Sequence, residues 1–255
     1  MAKISPRPSV EAGAVPSPVT TPRDSIHNDI LLGLSGKERA VLFPELEPVV
    51  LKTHEVLNEM GSPIEWGYFV NKGLISILNV MADGKSVEVG ITGKEGFVGL
   101  PLVVGLQTSS TRALVQVAAS AFRIRAATLV QILQKCPRLE KSLNRYSQIL
   151  GLQASQVAAC NRLHEVDQRL ARWLLMSQDR LGGDLVPLTQ EFLAHMLGTR
   201  RASVTVAAGA LQKAGLIRYT RGSVSIVNRS KLRSASCECY DIMTRQSQAW
   251  QNELN

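Results

Sequence analysis

The chain lacks several things that would define other classes of protein. In its 255 residues aromatics make up 5%, and no apolar stretch approaches the ~18 residues a membrane-spanning helix needs. Cysteine is scarce: four residues, the first at Cys136, with no apolar run ahead of them to direct secretion. That excludes a disulfide scaffold and reads as reduced thiols in a cytoplasmic protein. Histidine is equally scarce, and of the four only His54 falls in the strand-rich part described below. A metal-dependent barrel enzyme needs two or three histidines with a carboxylate converging from its strands, so the chain is read as no enzyme and without a catalytic metal. Acidic residues are in deficit, 21 against 29 basic.

What is present suits an ordinary globular protein of two domains, with 45% hydrophobic residues and a mean hydropathy near zero. Residues 1–25, with Pro6, Pro8, Pro16, Pro18 and Pro22, read as a disordered tail. Ile30 to Leu46 reads as helical, capped by Ser35. From Val49 to Arg125 short β-favouring runs alternate with turn signals such as Asn71-Lys72-Gly73 and Asp83-Gly84, the pattern of a sandwich or jelly-roll barrel. A long helical stretch follows, interrupted at Pro137. In it Leu139, Leu143, Tyr146, Leu150, Gln153, Val157, Cys160 and His164 recur at spacings of four and three, a coiled-coil seam on a helix about 40 Å long. Pairing with a second copy through Leu139, Leu143, Tyr146, Leu150 and Val157 is the expectation. A helix packed on its own barrel is the alternative that the polar Gln153 and His164 leave open.

From Arg162 to Arg233 twelve basic residues face five acidic ones, nearly the whole excess of charge. Clustered cations of this kind bind nucleic acid by displacing counterions from phosphates. Within this segment Thr189 caps a helix with an apolar stripe of Phe192, Leu193, Met196 and Leu197. Gly198 then permits a sharp turn, and a second helix opens at Thr199 or Arg200 with Val204, Ala208 and Leu211 inward. Its opposite face is expected to present Arg200, Arg201, Ser203 and Thr205 to a major groove. Leu216–Tyr219 and Val224–Val227 around Thr220-Arg221-Gly222-Ser223 make a hairpin wing tipped by Arg221. The expected DNA-contacting set is Thr189, Gln190, Thr199, Arg200, Arg201, Ser203, Thr205, Arg218 and Arg221. A domain that docks these arginines on an acidic protein is the competing reading, and steep weakening by salt separates the two.

Over residues 26–240 the sequence resembles the Crp/Fnr family of bacterial transcription regulators. The resemblance lies in Gly61, Tyr68, Gly73 and Asp83-Gly84, in Phe97-Val98-Gly99, in Arg169-Leu170-Ala171, and in Leu188-Thr189-Gln190-Glu191 through Gly215-Leu216-Ile217. It implies an α+β protein: a double-stranded β-roll of the cyclic-nucleotide-binding type at 26–135, a dimerisation helix at 136–165, a winged helix-turn-helix at 166–240 and a C-terminal tail at 241–255. It also implies a homodimer on a palindromic promoter site in double-stranded DNA, contact with RNA polymerase, and no membrane association. The family's recognition helix often carries an Arg-Glu pair and a second Arg four residues on; the matching positions here are Arg201, Ala202 and Val206.

The same resemblance marks an effector pocket at Leu100, Arg112 and Ser155. The family's cyclic-AMP binders place a glutamate where Leu100 stands, and an aliphatic group cannot accept the ribose hydrogen bond. Arg112 is the candidate phosphate ligand, and Ser155 lies where the adenine would be reached. Cyclic AMP is therefore not expected as a ligand. Nor is an iron–sulfur cluster, for want of N-terminal cysteines, or heme through the lone His54. No cofactor is expected, and an unidentified small molecule or an effector-free scaffold both remain open. Cys237 and Cys239, one residue apart, are poorly spaced for zinc and strained for a disulfide, and are read as packing residues.

Overall fold

The computed structural model describes residues 26–220 and 222–252; the expected tail at 1–25 and the wing-tip Arg221 lie outside the described residues. The described residues open with α1 (Asp29–Leu32) and α2 (Gly36–Leu42), the latter held by a capping box between Ser35 and Glu38. The β-roll follows as β1 (Glu47–Leu51), β2 (Val56–Asn58), β3 (Trp66–Val80), β4 (Ser86–Thr92), β5 (Phe97–Val98) and β6 (Arg112–Arg125). Its antiparallel order is β1-β6-β3-β4, with β2 on β6 and β5 on β3. The Asp83-Gly84 hairpin joins β3 to β4 as expected, Gly84 adopting φ +83°.

Asn71-Lys72-Gly73, expected as a turn between two strands, is instead a bulge inside one long strand. Three register shifts between Val70 and Ile75 bend β3 against β6 while pairing continues. Gly73, at φ +95°, sits so close to β6 that an added Cβ would lie 2.6 Å from Ala119 Cα. Glycine allows both the left-handed backbone and the approach.

After α3 (Ala126–Leu133) comes α4 (Pro137–Leu163), whose predicted seam is buried. The partner is not a second chain. Leu139, Leu143, Tyr146 and the half-buried Leu150 join Phe69, Phe97, Leu102, Phe122 and Leu31 in one apolar cluster of the same chain. Gln153 Oε1 accepts the Ile91 amide of β4 at 3.1 Å, and Val157 is 8% exposed. Leu139, Leu143, Tyr146 and Val157, expected at a dimer interface, are thus already covered within one chain, while Leu150 stays partly exposed: helical periodicity reveals that a stripe is covered but not what covers it.

The last third comprises α5 (Val166–Leu181), β7 (Leu185–Val186), α6 (Gln190–Met196), α7 (Arg201–Lys213), β8 (Ile217–Thr220), β9 (Ser223–Ile226), α8 (Arg229–Ala235) and α9 (Cys239–Asn252). Strands β7-β9-β8 form a small antiparallel sheet. The C-terminal segment expected as a tail forms most of α9 as far as Asn252; Met243 is buried and Trp250 packs against the roll's outer cluster. Among the described residues no helix is long and apolar enough to cross a membrane.

Candidate nucleic-acid interface

Helices α6 and α7 owe their geometry to a few local choices. Thr189 Oγ1 accepts the Phe192 amide at 3.2 Å to start α6, and Gly198, at φ +57°, reverses the chain before the extended Arg200 precedes the first turn of α7. Val204, Ala207, Ala208 and Leu211 are buried, anchoring α7 on α5 and α6. Thr205 Oγ1 lies 2.8 Å from Gln190 Oε1 and 3.0 Å from the Arg201 carbonyl. These two predicted contact residues therefore also brace one helix against the other. The wing is held in place by the Tyr219 amide donating to Gln212 Oε1 at 2.7 Å.

The buried positions define the outward face by helical period. Its centre is Ala202, Val206, Gly209 and Lys213, all exposed, with Val206 at 74%. Arg201 and Thr205 flank it on one side. Ser203, expected on this face, is half-buried on the other flank, lining a cleft with Glu165, Val166 and Asp167 beside α5. The apolar centre went unassigned from the sequence, although the spacing of Val204, Ala208 and Leu211 already implied it. Thr199 is half-buried, its amide donating to the Ala194 carbonyl at 3.0 Å. Thr189, Arg200 and Arg218 are exposed.

The basic excess divides into two populations. Arg169 donates to Asn161 Oδ1 at 2.7 Å and to the Leu197 carbonyl, and Arg172 is buried on α5. Arg180 pairs with Glu95 of the roll at 2.7 Å, Arg229 with Asp179 at 2.6 Å and Arg233 with Asp241 at 2.8 Å. These cations are consumed by the fold. Of this segment's described cations Arg162, Arg200, Arg201, Lys213, Arg218 and Lys231 are exposed and in no ion pair, and Arg200, Arg201, Lys213 and Arg218 among them lie on or beside α7 and the wing, placed to meet phosphates or base edges.

The expected effector residues face three different surroundings. Leu100 packs against the roll's outer apolar cluster, and Ser155 is exposed on the outward side of α4. Arg112 is clamped by Glu59, with Nε 2.9 Å and 3.0 Å from its two oxygens and Nη2 2.9 Å from one. His54 is a surface residue whose ring centre lies 5.8 Å from that of Phe192. Between α4 and β4 there is little room: a Cβ on Gly90 would lie 3.2 Å from Leu150 Cδ2.

Residues 168–235 match the Crp-like helix-turn-helix domain, and residues 48–136 match the cyclic nucleotide-binding domain. The fold is shared with a transcriptional regulator of the crp/fnr family from Eubacterium rectale, at 15% identity over 82% of this chain and 98% of that one, with a TM-score of 0.65. FixK2 from Bradyrhizobium japonicum is similar at 16% identity over 75% and 98%, TM-score 0.65. The c-di-GMP responsive global regulator CLP from Xanthomonas campestris is similar at 19% identity over 75% and 99%, TM-score 0.62. No protein of curated function matches the sequence.

Proposed function

The chain belongs to the Crp/Fnr family of transcriptional regulators, and we propose that it acts as a homodimer that places two copies of α7 in successive major grooves of a two-fold symmetric promoter site. The observation that carries this reading is the outward face of α7, where unpaired Arg201 borders an exposed apolar centre beside the wing and unpaired Arg200 stands exposed just before the helix. Arg201 reads a guanine edge, and Ala202 and Val206 meet thymine methyl groups where other family members present a charged pair. Lys213 and Arg218 contact phosphates and set orientation without reading sequence. Thr189 and Gln190 approach the backbone from the start of α6, Arg221 does so from the wing, and RNA polymerase is the partner that family resemblance implies. The protein is a regulator and no enzyme, working in the cytoplasm.

The dimer forms through the face of α4 that the roll leaves open. Lys141, Asn144, Gln148, Gly151, Ser155 and Ala158 are exposed at alternating spacings of three and four, and the last three are small enough for two helices to approach closely. The roll does not take cyclic AMP in the usual manner. Leu100 offers no acceptor, Glu59 already neutralises Arg112, and Leu150 and Gln153 press on β4 where a ligand would separate helix from sheet.

Selection of bound duplexes from a random pool should return a two-fold symmetric motif. Arg201→Ala should weaken binding to that motif by about 1–3 kcal/mol per contacted base while leaving random DNA unaffected. Indifference to duplex DNA at low ionic strength, or equal binding of every sequence, would overturn the reading. A saturable calorimetric heat with cyclic AMP would overturn the assignment of the roll.

A further inference from the structure

All four cysteines are buried free thiols, and three of them converge with a histidine. Cys160 and His164 lie one turn apart at the end of α4. Cys237 sits in the α8–α9 connection and Cys239 opens α9. Their ligand atoms all lie within 4.8 Å of one another. Cys160 Sγ is 3.5 Å from Cys237 Sγ, and Cys239 Sγ is 3.5 Å from His164 Nδ1. We propose that Cys160, His164, Cys237 and Cys239 form a tetrahedral zinc site that clips the C-terminal end of the DNA-binding domain to the long helix.

The distances suit one ion. Metal–sulfur bonds of about 2.3 Å and metal–nitrogen bonds near 2.0–2.1 Å put tetrahedral ligands roughly 3.3–3.8 Å apart. The two close pairs already meet that spacing, and the widest separation closes by about 1 Å on binding. A volume this small holds a single ion and no multi-iron cluster. Three thiolates and an imidazole with no open position are the donor set of a structural zinc ion rather than of a hard cation or a catalytic metal.

The surroundings support the assignment independently. His164 turns Nδ1 toward the thiols while Nε2 lies 3.1 Å from Glu238 Oε2, the carboxylate–histidine arrangement that orients a metal-binding imidazole. Gln156 Nε2 donates to Cys239 Sγ at 3.2 Å. The buried guanidinium of Arg172 lies close enough to Cys160 to act on its sulfur electrostatically. Three thiolates and a divalent ion leave one negative charge, which that guanidinium balances. Cys237-x-Cys239 alone is a poor zinc motif, and Cys160-x-x-x-His164 from another element completes it.

The full chain, purified under reducing conditions, should carry about one zinc per chain by plasma mass spectrometry, and anaerobic cobalt replacement should give sulfur-to-cobalt charge-transfer bands with tetrahedral d–d bands. Cys136→Ser, outside the cluster, should keep metal and bands, whereas Cys237→Ser and Cys239→Ser should lose both. Should those variants fail to fold, Glu238→Ala decides, with zinc affinity about 10–100-fold weaker in chelator competition. A reduced, folded chain with no zinc and no cobalt bands would overturn the proposal. So would a Cys160–Cys237 disulfide that forms in place of metal binding, or Glu238→Ala affinity equal to that of the unaltered chain.

Discussion

At the scale of single residues, charge and role separate. Arg218 and Arg180 are equal in a composition count, yet one is exposed on the wing and the other is half-buried and paired with Glu95. Exposed cations release counterions when they reach phosphates, while buried ones are already matched. Arg218→Ala should therefore weaken binding to specific and random duplexes alike and lower the slope of log K against log salt by about 1 per subunit, as read in a salt titration. A slope equal to that of the unaltered chain would place Arg218 away from the backbone. Arg112 was legible as a basic residue at the edge of the roll, but its clamp by Glu59, 53 positions away in sequence, was not. No local pattern connects the two.

At the scale of elements, α4 shows how a correct period can be read with the wrong partner. The spacing of Leu139, Leu143, Tyr146 and Val157 identified a continuous covered stripe, and the stripe is covered. Its cover is the chain's own roll because Phe69, Phe97 and Phe122 of three strands expose a complementary apolar face. The two faces of α4 should respond differently to charge. Ala158→Arg, on the open face, should convert a two-chain mass into a one-chain mass in light scattering with the melting temperature little changed. Leu143→Arg, fully buried, should instead destabilise the fold by several kcal/mol, because it buries an unpaired charge and loses about 1.5–3 kcal/mol of apolar burial. A two-chain mass for the Ala158 variant would remove this face as the interface. The C-terminal helix was missed for a related reason: its apolar positions are few, and much of its packing falls on α4 and α5, which precede it by many residues.

At the scale of the whole molecule, the DNA-binding part is docked on the roll rather than tethered to it. Leu74, Leu78 and Ile91 of the roll share one apolar cluster with Trp173, Leu174 and Leu197, and Trp173 Nε1 donates to Glu88 Oε1 at 2.7 Å. Burial raises the Glu88 carboxyl from 4.5 to about 7, against hydrogen bonds from Ser76 and Trp173 that pull it down. Ser76 Oγ lies 2.7 Å from Glu88 Oε2 and 2.5 Å from Gln116 Oε1, which encloses the carboxyl in a buried polar network. The folded chain thus binds a proton that the unfolded chain releases above pH 4.5. Its contribution to stability is complete below that pH and is lost as the pH rises through about 7, by roughly 3 kcal/mol. Melting temperatures measured from about pH 5 to 8 should fall across this window, and Glu88→Gln, which keeps an acceptor for Trp173, should flatten the fall. Parallel curves for both proteins would assign the titration elsewhere.

The sequence by itself determined the strand-rich first half, the long helix, the capped helix pair and the hairpin wing, because caps, turn glycines and apolar periods act between residues close along the chain. Tertiary structure alone decided what covers the apolar stripe of α4, which arginines remain free, the burial that raises the Glu88 carboxyl, and the meeting of Cys160 and His164 with Cys237 and Cys239. Those outcomes join side chains dozens of residues apart, and only packing brings such groups within reach of one another.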